Sequence, residues 1–98
     1  MVKQVSWNND AEETFNSIAE YLQDNFSMAT ATRFADAVYD KIDMLIEQPE
    51  IGRPSPIDSF VRILKIDKHR LMFYSFDGTE LIIIDFFDTR QNPQKRKF

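Results

Sequence analysis

Three arginines lie beside segments rich in apolar, β-branched and aromatic residues. Arg62 lies within FVRIL, Arg70 opens RLMFY, and Arg90 closely follows TELIIIDFF. A guanidinium at a sheet edge offers a fixed fork of donors for phosphate or carboxylate, and it can stabilise charge during phosphate cleavage. The simpler interpretation, which the spacing favours, is that the arginines only pair with nearby carboxylates. The carboxylates available in these segments are Asp58, Asp67, Asp85 and Asp88.

His69 is the only histidine in the chain and the other candidate for chemistry. An imidazole exchanges protons near neutral pH, so general acid–base catalysis is conceivable, although a histidine in the turn-like sequence DKHR is more often an exposed loop residue. If His69 and Arg70 both lay in a strand, their side chains would point to opposite faces. Because Arg70 opens its strand, we expect its guanidinium to be partly exposed.

Composition excludes several kinds of function. The 98 residues and 11.6 kDa fit one domain, residues 1–98. The absence of cysteine rules out disulfides and thiol catalysis, and one histidine rules out a multi-histidine metal site. There is no glycine-rich phosphate loop, and no apolar run approaches the roughly 18–20 residues of a membrane span. We therefore expect a small cytoplasmic domain with no cofactor and no membrane association.

The charge is unevenly distributed along the chain. Residues 1–50 carry ten acidic and three basic side chains, whereas residues 51–98 carry six acidic and nine basic ones, for a net charge of −4. Because phosphate affinity comes from clustered Lys and Arg, such a chain is a poor general binder of nucleic acid. An anionic partner should meet the basic C-terminal tail or a few well-placed arginines.

Hydrophobic periodicity predicts an α+β fold with the order β-α-α-β-β-β. Residues 2–7 are typical of a short strand, and two apolar stripes before Pro49 predict a helical hairpin. The proline-rich segment 49–59 predicts an extended loop. Segments 60–66, 70–76 and 79–87 predict an antiparallel meander, with Asp77-Gly78 as a two-residue hairpin turn. Residues 2–7 should join this sheet.

The predicted sheet is apolar on both faces, as the alternating Leu81, Ile83, Phe87 and Ile82, Ile84, Phe86 show. The helical hairpin can cover one face. The other face is covered either by the tail of the chain or by a partner, because monomers seldom expose large apolar patches.

The order of these segments resembles the RelE/ParE superfamily of bacterial type II toxin–antitoxin toxins, also described as plasmid-stabilisation proteins. The resemblance covers nearly the whole chain. It rests on a strand ending in Trp7, on Ala11, Ile18, Tyr21 and Leu22, on Leu45-x-x-x-Pro49-x-x-Gly52-Arg53-Pro54, on residues 62–66, on HRLMFY (69–74), and on Thr89-Arg90-Gln91-x-Pro93.

The resemblance implies a four-stranded antiparallel sheet with two helices on one face, and a partner antitoxin encoded beside the toxin. It leaves two mechanisms open. RelE-like members cleave mRNA in the ribosome, whereas ParE-like members inhibit DNA gyrase and perform no chemistry. A homodimer or a toxin–antitoxin hetero-oligomer is compatible with either mechanism.

The YoeB-type ribonuclease motif is incomplete in this chain. HRLMFY is similar to the stretch that carries a catalytic arginine, which would be Arg70. The glutamate base of those enzymes would fall on Ser55, whose hydroxyl cannot act as a base near pH 7. Their C-terminal His–Tyr pair would fall near Thr89 and Arg90, and it is absent from this sequence. The ending RQNP is more similar to ParE-type chains.

We therefore predict a ParE-like toxin that does no chemistry, neutralised by a cognate antitoxin and directed at gyrase. One alternative is a ribosome-dependent mRNA endoribonuclease that uses Arg62, His69 and Arg70, with Arg90 as a further candidate. The other alternative is an antitoxin-binding module without toxicity.

Overall fold

Two helices pack on one face of a five-stranded sheet in the computed structural model, which describes residues 2–90 and 93–98. The helices are α1 (Asn9–Asn25) and α2 (Met28–Glu47). The strands are β1 (Gln4–Trp7), β2 (Arg53–Pro54), β3 (Arg62–Lys65), β4 (Arg70–Phe76) and β5 (Glu80–Asp88), followed by a 3-10 turn at Pro93–Lys95. The α+β class and the helical hairpin are confirmed.

The two helices begin differently. Ser27 caps α2, because its Oγ accepts the backbone N–H of Thr30 at 3.0 Å. Asn8 occupies the same position before α1, but its side chain makes no capping bond. Each helix then buries one apolar stripe against its neighbours. In α2 the buried stripe consists of Ala31, Phe34, Val38, Ile42 and Leu45.

The sheet has the order β1-β5-β4-β3-β2, and β1 runs parallel to β5. The expected four-stranded antiparallel sheet is therefore wrong in strand number and in this one pairing. The two antiparallel helices return the chain to the end of the sheet where β1 finished, so β2 runs opposite to β1. The chain then reverses at each of the next three strands, so β5 runs in the same direction as β1. The fifth strand is β2, a two-residue segment within the predicted loop 49–59.

The hairpin between β4 and β5 forms where the sequence predicts it, but its loop has three residues, 77–79. The Oδ1 of Asp77 accepts the N–H of Thr79 at 3.3 Å and that of Glu80 at 3.1 Å. Because a side chain closes the turn, Gly78 does not adopt a positive φ.

The second sheet face is covered by the tail of the chain. Its apolar cluster consists of Val61, Ile63, Leu71, Phe73 and Phe87. The ring of Phe98 lies 5.2 Å from that of Phe73, and the Arg96 guanidinium lies 5.9 Å from the same ring. Lys97 Nζ in this tail forms ion pairs with Asp10 at 3.2 Å and with Asp85 at 3.4 Å. Of the two explanations that the sequence left open, coverage by the tail is the one found.

Candidate functional site

A pocket of about 520 Å³ lies between α1 and the adjacent ends of β4 and β5. It brings together two of the four candidate residues, Arg70 and Arg90, while His69 and Arg62 do not line it. The ends of β4 and β5 meet because Arg70 pairs with Asp88 across the ladder. The lining residues are Thr14, Ser17, Ile18, Tyr21, Arg70, Phe86, Asp88 and Arg90.

Arg70 is the most buried of these charged groups. Its Nη1 donates to Asp67 Oδ2 at 2.9 Å, and its guanidinium carbon lies 5.4 Å from the ring centre of Phe34. The side chain is only 9% exposed, so the expectation of a partly exposed guanidinium is wrong. The alternation of β4 directs Arg70 to the same face as Met72, which the helices cover.

The donors of Arg70 are incompletely used. Its Nε is buried without a hydrogen-bond partner and lies 3.9 Å from Asp88 Oδ2, an ion pair beyond hydrogen-bond range. A buried donor without an acceptor costs about 1–3 kcal/mol. Arg70 Nε is therefore an unsatisfied donor behind the wall of the pocket, closed off from solvent.

Asp88 is shared between the two arginines. Its Oδ1 accepts the Nε–H of Arg90 at 3.0 Å and its Oδ2 accepts the Nη2–H at 2.7 Å, a two-pronged contact. The hydrogen bonds from Arg90 hold the pKa of Asp88 below its usual value, against the opposing effect of burial. The same pairing raises the pKa of Arg90. One carboxylate thus serves a buried and an exposed guanidinium.

Arg62 has a structural position away from the pocket. Its Nη1 donates to the carbonyls of Gly52 at 2.7 Å and Glu50 at 3.2 Å, and its guanidinium lies 5.9 Å from the ring centre of Phe76. These contacts tie the loop after α2 to the sheet. The sequence favoured pairing of Arg62 with an aspartate, whereas the structure pairs it with these backbone carbonyls.

The backbone of His69 closes the turn before β4. Its N–H donates to Asp67 Oδ1 at 2.9 Å, and its carbonyl accepts the N–H of Thr89 at 2.7 Å and the hydroxyl of Thr89 at 3.0 Å. The imidazole is half-buried and does not line the pocket that contains Arg70. The arrangement does not bring the histidine and the arginine into one cavity.

Ser55 takes part in a turn. Its side chain is buried, and its Oγ accepts the N–H of Ile57 at 3.2 Å and that of Asp58 at 3.4 Å. The hydroxyl also lies within donating distance of the Phe98 carbonyl, at 3.4 Å. These bonds shape the loop before β3, and Ser55 does not line the pocket that contains Arg70.

Sequence reasoning missed the contribution of α1. Thr14, Ser17 and Tyr21 recur at steps of three and four, which places their hydroxyl-bearing side chains on one helical face. That spacing was visible in the sequence, but only the sheet shows which strand ends this face meets. Of the terminal motif, Gln91 and Asn92 lie outside the described residues. Within residues 2–90 and 93–98, no group of three or more His, Cys, Asp or Glu side chains could hold a metal ion.

A family model described as ParE toxin of type II toxin–antitoxin system, parDE, matches residues 5–93, which is most of the chain. The chain belongs to this ParE toxin family. It is thus a ParE-type toxin of a type II toxin–antitoxin system, and membership implies a cognate antitoxin as partner. The superfamily resemblance predicted from the sequence is confirmed.

Solved structures share the fold. A chain of the chromosomal ParDE system from P. aeruginosa superposes with a TM-score of 0.75 at 17% identity, covering 89% of this chain and 96% of that one. A YoeB/ParE toxin from Agrobacterium tumefaciens gives 0.64 at 17% identity, covering 87% and 96%. The YoeB dimer from Staphylococcus aureus gives 0.61 at 13% identity, covering 87% and 94%. At these identities, the likeness establishes the fold.

No sequence among the curated proteins matched this ParE-family chain. In the described part of the toxin, residues 2–90 and 93–98, neither helix is long and apolar enough to span a bilayer.

Proposed function

We propose that this toxin acts in the cytoplasm by inhibiting DNA gyrase and does not itself cleave RNA. The observation that carries the proposal is the state of Arg70. Its guanidinium is nine-tenths buried, paired with Asp67 and close to Asp88. A catalytic arginine must reach the phosphate whose charge it stabilises, and this one is turned into the interface between the sheet and the helices.

Neither of the candidate groups for general acid–base catalysis, Ser55 and His69, is well placed to transfer a proton. Cleavage by attack of the 2′-hydroxyl needs a proton acceptor and a donor to the leaving oxygen, and such assistance contributes roughly 10²–10⁴-fold. Ser55 is engaged in its own turn and has no base-strength oxygen. His69 lies outside the cavity that contains Arg70 and Arg90. This separation of the candidate groups supports an activity based on binding.

The net charge of −4 supports the same proposal. Tight binding to ribosomal RNA depends on the release of counterions by clustered Lys and Arg. The acidic helical hairpin of this chain would meet the phosphate backbone unfavourably.

A specific observation favours the ribonuclease as the second candidate. Arg70 and Arg90 line one cavity together with Thr14, Ser17 and Tyr21, and guanidiniums with hydroxyls suit a phosphate. This candidate requires Arg70 to leave its partner Asp67 when RNA binds.

The test is to induce the toxin without its antitoxin while following DNA synthesis, protein synthesis and mRNA 5′ ends separately. We expect replication to stop while messages stay intact, and the purified toxin to block supercoiling by gyrase. Arg53→Ala, which changes an exposed arginine away from the pocket, serves as a matched control for loss of charge. New mRNA cuts at ribosomal A-site positions, lost in His69→Ala or Arg70→Ala, would overturn the proposal. An absence of both effects would assign the chain to the antitoxin-binding modules without toxicity.

A further inference from the structure

The tip of the helical hairpin leaves three large apolar side chains in solvent beside the pocket. Tyr21 is 54% exposed, Phe26 65% and Met28 64%. The rings of Tyr21 and Phe26 contact each other, with centroids 6.3 Å apart, and Tyr21 also lines the pocket that contains Arg70 and Arg90. The apolar tip and the arginine pocket therefore form one continuous surface, which we call the tip surface.

The polar part of the tip surface is short of acceptors. Arg70 is nine-tenths buried with its Nε unpartnered, and Asp88 already accepts two side-chain hydrogen bonds from Arg90. An incoming carboxylate would give the Arg90 guanidinium, whose side chain is half exposed, a further charged acceptor beside the positive charge of Arg70. Charge-assisted hydrogen bonds of this kind are the strong ones.

Charge also distinguishes this surface from the rest of the helical hairpin. Residues 9–50 contain ten acidic side chains and only two basic ones. One of the two, Arg33, lines a cleft together with Arg70 next to the tip. An acidic segment would be repelled along most of the hairpin and attracted at this end, and like-charge repulsion of this kind fixes the position and orientation of a partner.

We infer that the cognate antitoxin docks on the tip surface, with apolar side chains against Tyr21 and Phe26 and a carboxylate against Arg90, the half-exposed guanidinium of the pocket. The chemistry expected of that antitoxin segment is an acidic residue flanked by apolar ones. Rigid exposed aromatic and arginine side chains are the groups that dominate such interfaces. The inference rests on membership of the toxin family and is independent of gyrase as the target.

The test uses the toxin together with the product of the neighbouring reading frame. Tagged wild-type and variant toxins compete for a limiting amount of that antitoxin, and the captured ratio reports their relative affinity. We expect Arg90→Glu and Tyr21→Ala to weaken capture by about tenfold or more, the effect of losing one important interface residue.

The controls are matched to these changes. Tyr39 is also 54% exposed but lies away from the tip, and Arg53 is an exposed arginine on β2. Tyr39→Ala and Arg53→Glu should stay within about twofold of wild type, as expected of changes outside an interface hot spot. A thermal melt of each variant shows that it is folded.

Asp88→Asn separates a binding role from a structural one. It removes the internal carboxylate that competes for Arg90, so capture of the antitoxin should become stronger by severalfold even though the toxin is less stable. Unchanged or weaker capture by folded Asp88→Asn overturns the carboxylate assignment. If Arg90→Glu and Tyr21→Ala capture the antitoxin as well as wild type does, the tip surface is not the docking site. If these variants lose toxicity but keep their affinity for the antitoxin, the tip surface binds the cellular target instead.

Discussion

The N–H of Gly52 donates a hydrogen bond of 2.9 Å to the phenol oxygen of Tyr74, whose ring fills the space beside residue 52. The same phenol donates to the carbonyl of Pro49 at 2.7 Å. A side chain in the middle of β4 therefore fixes both ends of the turn that follows α2. Because Arg62 binds the Gly52 carbonyl, the turn is fixed from the neighbouring strand as well.

We predict that Gly52→Ala destabilises the toxin. A Cβ at residue 52 would lie 2.5 Å from Tyr74 Oη and 2.7 Å from its Cε1, and Tyr74 is fully buried and hydrogen-bonded. Overpacking of this kind costs about 1–3 kcal/mol. Gly78→Ala is the matched control, since no atom lies within 4 Å of its added Cβ and its φ is not positive. Urea denaturation compares the two variants, and equal stabilities would contradict the predicted clash.

Tyr74→Phe should reveal the alkaline titration of the buried phenol. Burial raises the pKa of Tyr74 above its usual 10.0, because the charged form is poorly solvated. The contribution of the neutral phenol is complete below pH 10 and is lost as the pH rises through the folded-state pKa. The free energy of unfolding should therefore fall less steeply above pH 10 in Tyr74→Phe than in wild type.

At neutral pH the same variant loses both bonds of the hydroxyl. The Gly52 N–H and the Pro49 carbonyl are then left without this partner, at a cost of about 1–3 kcal/mol. Parallel pH curves for variant and wild type between pH 9 and 11 would show that the phenol does not titrate as described.

In Asp88→Asn the free energy of unfolding should fall less steeply as the pH is lowered than it does in wild type. Hydrogen bonds from Arg90 lower the folded-state pKa of Asp88 below the usual 3.8. The stabilisation is complete above the unfolded-state pKa and is lost as the pH falls through the folded-state value. The stability difference between wild type and Asp88→Asn should be largest near neutrality and shrink below pH 3.8. Asp24→Asn, on the exposed end of α1, controls for net charge, and a constant difference at every pH would refute the linkage.

Ser27→Ala should cost more stability than Asn8→Ala. Only Ser27 accepts a backbone N–H at the start of its helix. Loss of such a cap costs about 0.5–2 kcal/mol, whereas removal of Asn8 should change the free energy of unfolding by only a few tenths. Thermal melts at one protein concentration make the comparison, and similar losses in the two variants would show that the bond at Thr30 is unimportant.

Much of the fold could be predicted because its signals are local. The helical stripes, the break before Pro49 and the turn at Asp77 each follow from a few neighbouring residues. The parallel pairing of β1 with β5 could not, since it joins residues 4–7 to residues 80–83 and depends on where the helices return the chain. The two-residue β2 is recognisable only through its pairing with Ile63 and Arg62.

The candidate site was predictable in its residue types and less so in its geometry. The pairing of Arg70 and Arg90 with aspartates was one of the two interpretations, and the structure contains it. The burial of Arg70 depends on which sheet face the helices cover, and the sequence of β4 is apolar on both faces. The part played by Tyr21 depends on the approach of α1 to β5, a contact between distant parts of the chain.

The pairing of β1 with β5 also sets the order of events during synthesis. The first strand to leave the ribosome cannot pair until the last one has been made, and the tip surface joins α1 to strand ends that are made roughly 50 to 75 residues later. A nascent toxin therefore exposes the apolar stripes of both helices before the sheet exists to cover them, a state prone to aggregation and slow to resolve because the contacts are non-local. Neither the pocket nor any activity that depends on it can exist until Arg90 has been added. The topology thus delays the mature toxin relative to its own translation.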